Sequence, residues 1–193
     1  MKKGLAVLLV VIVAGFTLMS GYNGLVKAEE EINSVWANVE SSYQRRADLI
    51  PNLVNTVKGQ ADFEKSTLTQ VVEARAKATQ TKIDPSNLSE EQLTQFQQNQ
   101  NAVGSALSRL LVTVEQYPAL RANEGFINLQ AQLEGTENRI NVARNKFNDA
   151  ARLYNQKVRQ FPTKLVAMIF GFNEKPYFKS AEGAEKAPVV NFN

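Results

Sequence analysis

Ile32, Trp36, Val39, Tyr43, Arg46, Ile50, Leu53 and Val57 recur at spacings that alternate between four and three residues. That alternation places all of them on one stripe of an α-helix, the pattern of a helix packed lengthwise in a coiled-coil-like bundle. Two residues break the stripe's rules. Arg46 is its only charge, and Pro51 stands where the helix should be continuous. Proline removes a backbone N–H, so a kink is predicted at Pro51.

The same spacing returns three more times. A second helix, starting near Asp62, carries Leu68, Val71, Arg75 and Ala78 on one face and fades before Ile83-Asp84-Pro85-Ser86-Asn87, a turn by composition. Ser89 with Gln92 forms a capping box for a third helix, whose seam is Leu93, Phe96, Gln100, Val103, Leu107, Leu110, Val114 and Tyr117, with Pro118 ending it. A fourth begins near Asn123 and carries Phe126, Leu129, Leu133, Thr136, Ile140, Ala143, Phe147, Ala150 and Tyr154; Pro162 closes it or opens a new short turn. No strand alternation or long internal repeat is present. Short connections force neighbours antiparallel, so the expected fold is all-α: a membrane helix followed by a long up-down-up-down four-helix bundle.

The membrane helix rests on the run from Gly4 to Tyr22, since no charge occurs between Lys3 and Lys27. The run matches the ~20 residues needed to cross a bilayer. A cleavable signal peptide would want a shorter apolar region and small residues at the cut; Leu18 and Met19 spoil that site, so the run reads as an uncleaved signal-anchor. Lys2 and Lys3 precede it, which favours a cytoplasmic N-terminus and a domain on the extracytoplasmic, periplasmic side. Gly21 and Gly24 predict a break, with the first soluble helix running from about residue 27 to about residue 57. The domain division is therefore an anchor over 1–24, a bundle over 25–161 and a short apolar segment with a tail over 162–193. The lipid bilayer, met through residues 4–22, is the one partner the pattern names.

Composition removes several functions. The chain has neither Cys nor His. It therefore has no disulfides or thiolate chemistry, and lacks the commonest general base and zinc ligand. Net charge is +3 with no basic cluster interleaved with aromatics, which argues against nucleic acid. Glu29-Glu30-Glu31 reads as a solvated run at a helix start. Glu134 and Glu137 could approach a divalent cation, but no further ligands stand in register, and Gly135 between them points to close helix packing. No phosphate loop, nucleophile elbow or zinc spacing occurs. No cofactor, metal or catalytic residue is expected.

What remains is a polar constellation and an apolar run. Arg46 and Arg75 occupy seam positions at nearly the same height, with Gln100 and Thr136 interrupting the other seams; Glu73, Glu137 and Asp149 are the candidate partners. Either the arginines snorkel to the rim with their stems packed, or they form a buried polar layer that fixes helix register. The run from Phe161 to Phe172 falls at the membrane-proximal end of an up-down-up-down bundle, flanked by Lys164, Lys175 and Lys179, with Tyr177 and Phe178 close by. It is too short to span. Two readings stay open: it plugs the base of the bundle, or part of it, led by Phe170 and Phe172 with Leu165 nearby, contacts lipid or a membrane partner. The remainder, through Glu182 to Lys186, reads as frayed.

Tyr22-Asn23-Gly24-Leu25-Val26, the stretch from Tyr43 to Val54, Val57-Lys58-Gly59, Ala74-Arg75, Val114-Glu115-Gln116-Tyr117-Pro118, Leu133-Glu134-Gly135-Thr136-Glu137-Asn138-Arg139-Ile140, Phe161-Pro162, Phe170-Gly171-Phe172 and Val190-Asn191-Phe192 together resemble the LemA family over nearly the whole chain. The resemblance implies a bacterial membrane-anchored helical bundle and supplies no catalytic residues. Where many members have His, this chain has Phe63. The expected function is a non-enzymatic scaffold or adaptor for an unidentified membrane protein of the bacterial envelope, with self-association left open. The alternatives are a membrane-surface lipid-interacting module and, third, a hydrolase using paired carboxylates.

Overall fold

The computed structural model describes residues 2–59 and 63–179. Within them the chain forms α1 (Lys2–Lys58), α2 (Lys65–Gln80), a 3₁₀ turn (Pro85–Asn87), α3 (Glu90–Val114), a short α4 (Pro118–Arg121), α5 (Glu124–Arg159) and α6 (Thr163–Phe170), with no strand. The predicted start of the second helix at Asp62 lies outside the described residues, as do Glu182 to Lys186 and Val190-Asn191-Phe192.

The break expected at Gly21 and Gly24 is absent. Membrane run and first bundle helix are one 57-residue helix, about 85 Å long at 1.5 Å per residue. Gly21 serves a close approach instead: a Cβ there would lie 3.0 Å from Val166 Cγ2. Glu29-Glu30-Glu31 consequently sits in mid-helix, not at a helix start. The helix also continues through Pro51. Residues 7–13 and Phe16 project free of the rest of the molecule. Thr17 Oγ1 donates to Val13 O at 2.8 Å, so its hydroxyl is satisfied without water.

The other helix ends follow local chemistry. The Ser89–Gln92 capping box is present in both directions, and Asn123 Oδ1 accepts from Phe126 N to start α5. α3 ends at Val114, and Pro118 begins α4 instead of ending α3, as suits proline in a first helical turn.

α1 packs chiefly on α5, and α2 on α3. Buried side chains divide into two clusters. The proximal one, nearer the apolar run, holds Leu25 to Tyr43 of α1, Leu93 and Phe96 of α3 and Ile140 to Val158 of α5. The distal one holds Ile50 to Val57, Leu68 to Ala78 of α2, Val103 to Val114 and Phe126 with Leu133. α1 and α5 thus traverse both halves in opposite senses, whereas α2, at 16 residues, contributes only to the distal half.

Candidate functional site

The border between the two clusters is polar on three helices. On α1 it falls between Tyr43 and Ile50, where Arg46 stands; on α3 between Phe96 and Val103, at Gln100; on α5 between Leu133 and Ile140, at Thr136 and Glu137. Arg46 is only 4% exposed. Its Nη1 meets Glu137 Oε1 at 2.9 Å, and its Nη2 donates to the carbonyl and side-chain oxygens of Gln100 at 3.0 and 2.6 Å. The guanidinium also lies 5.0 Å from the Tyr43 ring centre. A buried charge is tolerable when paired and fully hydrogen-bonded, and this one is held by α3 and α5 together. Burial pushes the Tyr43 hydroxyl pKa up, against the pull of Arg144 and Arg46.

Arg75 does different work. In a helix the carbonyl of residue 47 would accept from the N–H of residue 51, which proline lacks. Arg75 Nε donates to Ala47 O at 2.6 Å and fills that vacancy from the neighbouring helix. Pro51 and Arg75 are therefore two parts of one device. A cleft of about 460 Å³ opens beside it, lined by Arg46, Arg75, Lys82, Glu40 and Phe96 among others.

The other two expected partners stand apart. Glu73 is exposed on α2, and Asp149 is an exposed residue whose ion-pair partner is Arg152, one turn away at 3.7 Å. They project from the wrong faces of their helices. Gly135 has nothing within 4 Å of an added Cβ, so close packing does not account for it. Among the described residues no group of three or more His, Cys, Asp or Glu is placed to hold a metal. Phe63 is buried with its ring 5.0 Å from that of Tyr117.

The feature the sequence hid is the segment after α6. Residues 172–179 run extended, antiparallel to α5. Asn155 pairs with both the N–H and the carbonyl of Lys175, each at 2.8 Å. Asn148 does the same to Phe178 at 2.8 and 3.0 Å. Gln97 bonds Lys179 from α3, its Nε2 2.6 Å from Lys179 O. The register is arithmetical: seven helical residues advance about 10.5 Å, and three extended residues about 10 Å. Phe178 stacks on Trp36 at 6.0 Å and 7° and meets Phe147 edge-on at 5.4 Å. Lys175, assigned by its sequence position to an interfacial rim, is 5% exposed. Its Nζ pairs with Glu29 at 3.1 Å and donates to the Ser86 carbonyl.

The run from Phe161 to Phe172 is split between two environments. Val166 and Ala167 are buried against α1 and α5, and Tyr22 meets Phe170 at 4.8 Å and the half-buried Phe172 at 5.8 Å. Leu165, Met168, Ile169 and much of Phe170 face outward.

An exposed apolar stretch continuous with a polar-layered helical bundle fits the class of membrane-associated helical proteins. The LemA family model matches residues 35–192, and the chain belongs to the LemA family. It is 29% identical over 191 residues to the magnetosome protein MamQ of Magnetospirillum gryphiswaldense, covering 90% of this chain and 70% of that protein. It is 28% identical, with the same coverage, to magnetosome protein MamQ 1 of Paramagnetospirillum magneticum. It is 22% identical over 167 residues to protein LemA of Metamycoplasma hominis, covering 86% of this chain and 73% of that one.

Proposed function

We propose that this chain is a non-enzymatic structural protein of the bacterial envelope, a stiff scaffold or adaptor that presents a helical bundle to other membrane proteins on the extracytoplasmic side. The observation that carries the reading is the unbroken α1, which joins the apolar run to the bundle core without a hinge. The Glu134–Glu137 pair offers little to hydrolysis: Glu137 is committed to Arg46, and Glu134 accepts from Gln130 at 3.1 Å. A second reading, a membrane-surface lipid-interacting module, draws on the outward face of α6.

Photo-crosslinkers at the exposed positions Val112 and Val142 of the membrane-embedded chain test the scaffold. The expected result is capture of the same membrane protein from both positions, lost when a Gly-Gly-Ser insertion after Asn23 uncouples span from bundle. Recovery of the chain alone, without partner or self-association, overturns it. A reporter active only outside the cytoplasm, fused after Asn193, should be active; a cytoplasmic signal would reverse the orientation.

A further inference from the structure

α6 meets α1 in an unusual way. Thr163 and Val166 both approach Gly21, their nearest side-chain atoms 3.9 and 3.0 Å from where its Cβ would stand, and Phe170 reaches the next residue, Tyr22. Seven residues separate Thr163 from Phe170, about 10 Å of helix. Both ends of α6 thus touch α1 at one level. α6 crosses α1 instead of running beside it, so where α1 stands upright in a bilayer, α6 lies near the bilayer plane.

The level is also informative. Gly21 and Tyr22 close the apolar run of α1, and the first charge beyond it is Lys27, five residues past Tyr22. Tyrosine at such a boundary belongs to the headgroup region. The face of α6 turned from the bundle carries Leu165, Met168 and Ile169, and Phe161, in the turn before the helix, is exposed as well. Met168 is 72% and Ile169 67% exposed. A compact domain does not leave such a stripe in water without cause. Lys157 and Lys164 are exposed nearby, and Lys157 Nζ reaches Gly24 O at 3.3 Å. Apolar side chains on one face with lysines at the margin suit an interfacial helix.

We propose that α6 is a second membrane contact, with Phe161, Leu165, Met168 and Ile169 seated in the headgroup–acyl boundary of the same bilayer that α1 crosses. The proposal rests on α1 spanning that bilayer. Its occupant is lipid because the stripe is continuous with the exposed apolar surface of α1. Phe172, grouped with this surface by sequence, is turned inward onto Tyr22 and the proximal core. α6 then holds the bundle at a fixed height and tilt.

The chain has no cysteine, so single nitroxide labels are clean. Full-length protein carrying M168C or I169C is reconstituted in vesicles of phosphatidylcholine with phosphatidylglycerol. The accessibility of each label to oxygen is compared with that to a water-soluble nickel chelate. V10C in the apolar run and V112C on the distal half are the references. The expected result is that labels at 168 and 169 prefer oxygen, as at 10, at a depth of about 5–10 Å, while the label at 112 prefers nickel. Nickel preference at 168 and 169 with oxygen preference at 10 overturns the proposal and leaves the anchor standing. Labels at 168 and 169 shielded from both reagents show a protein covering the face and overturn it equally. A label at 10 that does not prefer oxygen removes the anchor, and the proposal with it.

Discussion

On the proximal side of Arg46 the core is aromatic, built from Trp36, Tyr43, Phe96, Phe147, Tyr154 and Phe178. On the distal side it is mostly aliphatic, from Ile50, Leu53 and Val57 through Val71 to Leu107, Leu110 and Val114. The difference follows from helix lengths. Four helices surround the distal half and close it with branched side chains, as a bundle normally does. α2 stops at Gln80 and α3 starts only at Glu90, so toward the apolar run α1 and α5 stand as a pair with one side open. That side is covered by the extended segment 172–179, the Pro85–Asn87 turn and α6. An extended segment brings backbone N–H and carbonyl groups to a helical surface that has none to spare. Asn148, Asn155 and Gln97 supply the partners, and Phe178 fills the space a fourth helix would fill. One half is closed by the side chains of four helices, the other by a ligand-like piece of its own chain.

The polar border is where this comparison breaks most readily. Arg46→Ala opens a cavity at the seam between the halves and leaves the Gln100 oxygens without their donor, while Glu137, its side chain 45% exposed, returns to water. It should cost roughly 2–5 kcal/mol, the range for truncating a large core side chain to Ala. Arg46→Met should cost less, because it loses the same hydrogen bonds but refills the volume. Chemical denaturation read by Trp36 fluorescence measures both; equal, small losses would mean the border carries no weight.

Next in size is the distal device. Arg75→Met should cost about 1–3 kcal/mol by leaving the Ala47 carbonyl unsatisfied. In a Pro51→Ala background the restored N–H can serve Ala47, so the same substitution should cost little. A double-mutant cycle with no coupling would separate the two residues.

The smallest effect lies in the proximal core. The Tyr154 hydroxyl is buried without a hydrogen-bond partner among the described residues, so Tyr154→Phe should change stability by no more than about 0.5 kcal/mol at neutral pH. Burial, with the Glu29 charge adding to it, raises the Tyr154 pKa far above the ordinary value near 10. Above that pH the folded chain binds the proton that the unfolded chain releases. Stability is therefore full below about pH 10 and falls as pH rises beyond it. Tyr154→Phe should lessen that alkaline loss in thermal melts; an unchanged loss would assign it elsewhere, to Tyr43 first.

How far the sequence disclosed this depends on how far each part obeys a period. The seams of α1, α3 and α5 are periodic, and Arg46 was conspicuous because it interrupts one of them. Glu137 was a candidate partner among three, but spacing alone could not say which acids turn inward, and Glu73 and Asp149 do not. Arg75 was placed at the right height, yet its link to Pro51 needed the gap between helices to be seen. Gly21 was misleading: a small residue in a helix reads as a break when the helix approaching it is unknown. Residues 172–179 have no period at all. Their partners are amides on α3 and α5, which in sequence look like ordinary surface polar residues. The signal that was present is the seven-residue interval between Asn148 and Asn155, matching the three-residue interval between Phe178 and Lys175.

Hydrogen exchange on Phe178→Ala in the membrane-reconstituted chain tests the two-half account most directly. With the aromatic plug gone, amides of residues 90–96 and 140–158 should exchange faster, while those of residues 50–57, 68–78 and 103–114 keep their wild-type protection. Uniform acceleration through both halves would contradict it, showing a single undivided core in which the extended segment is only one more contact.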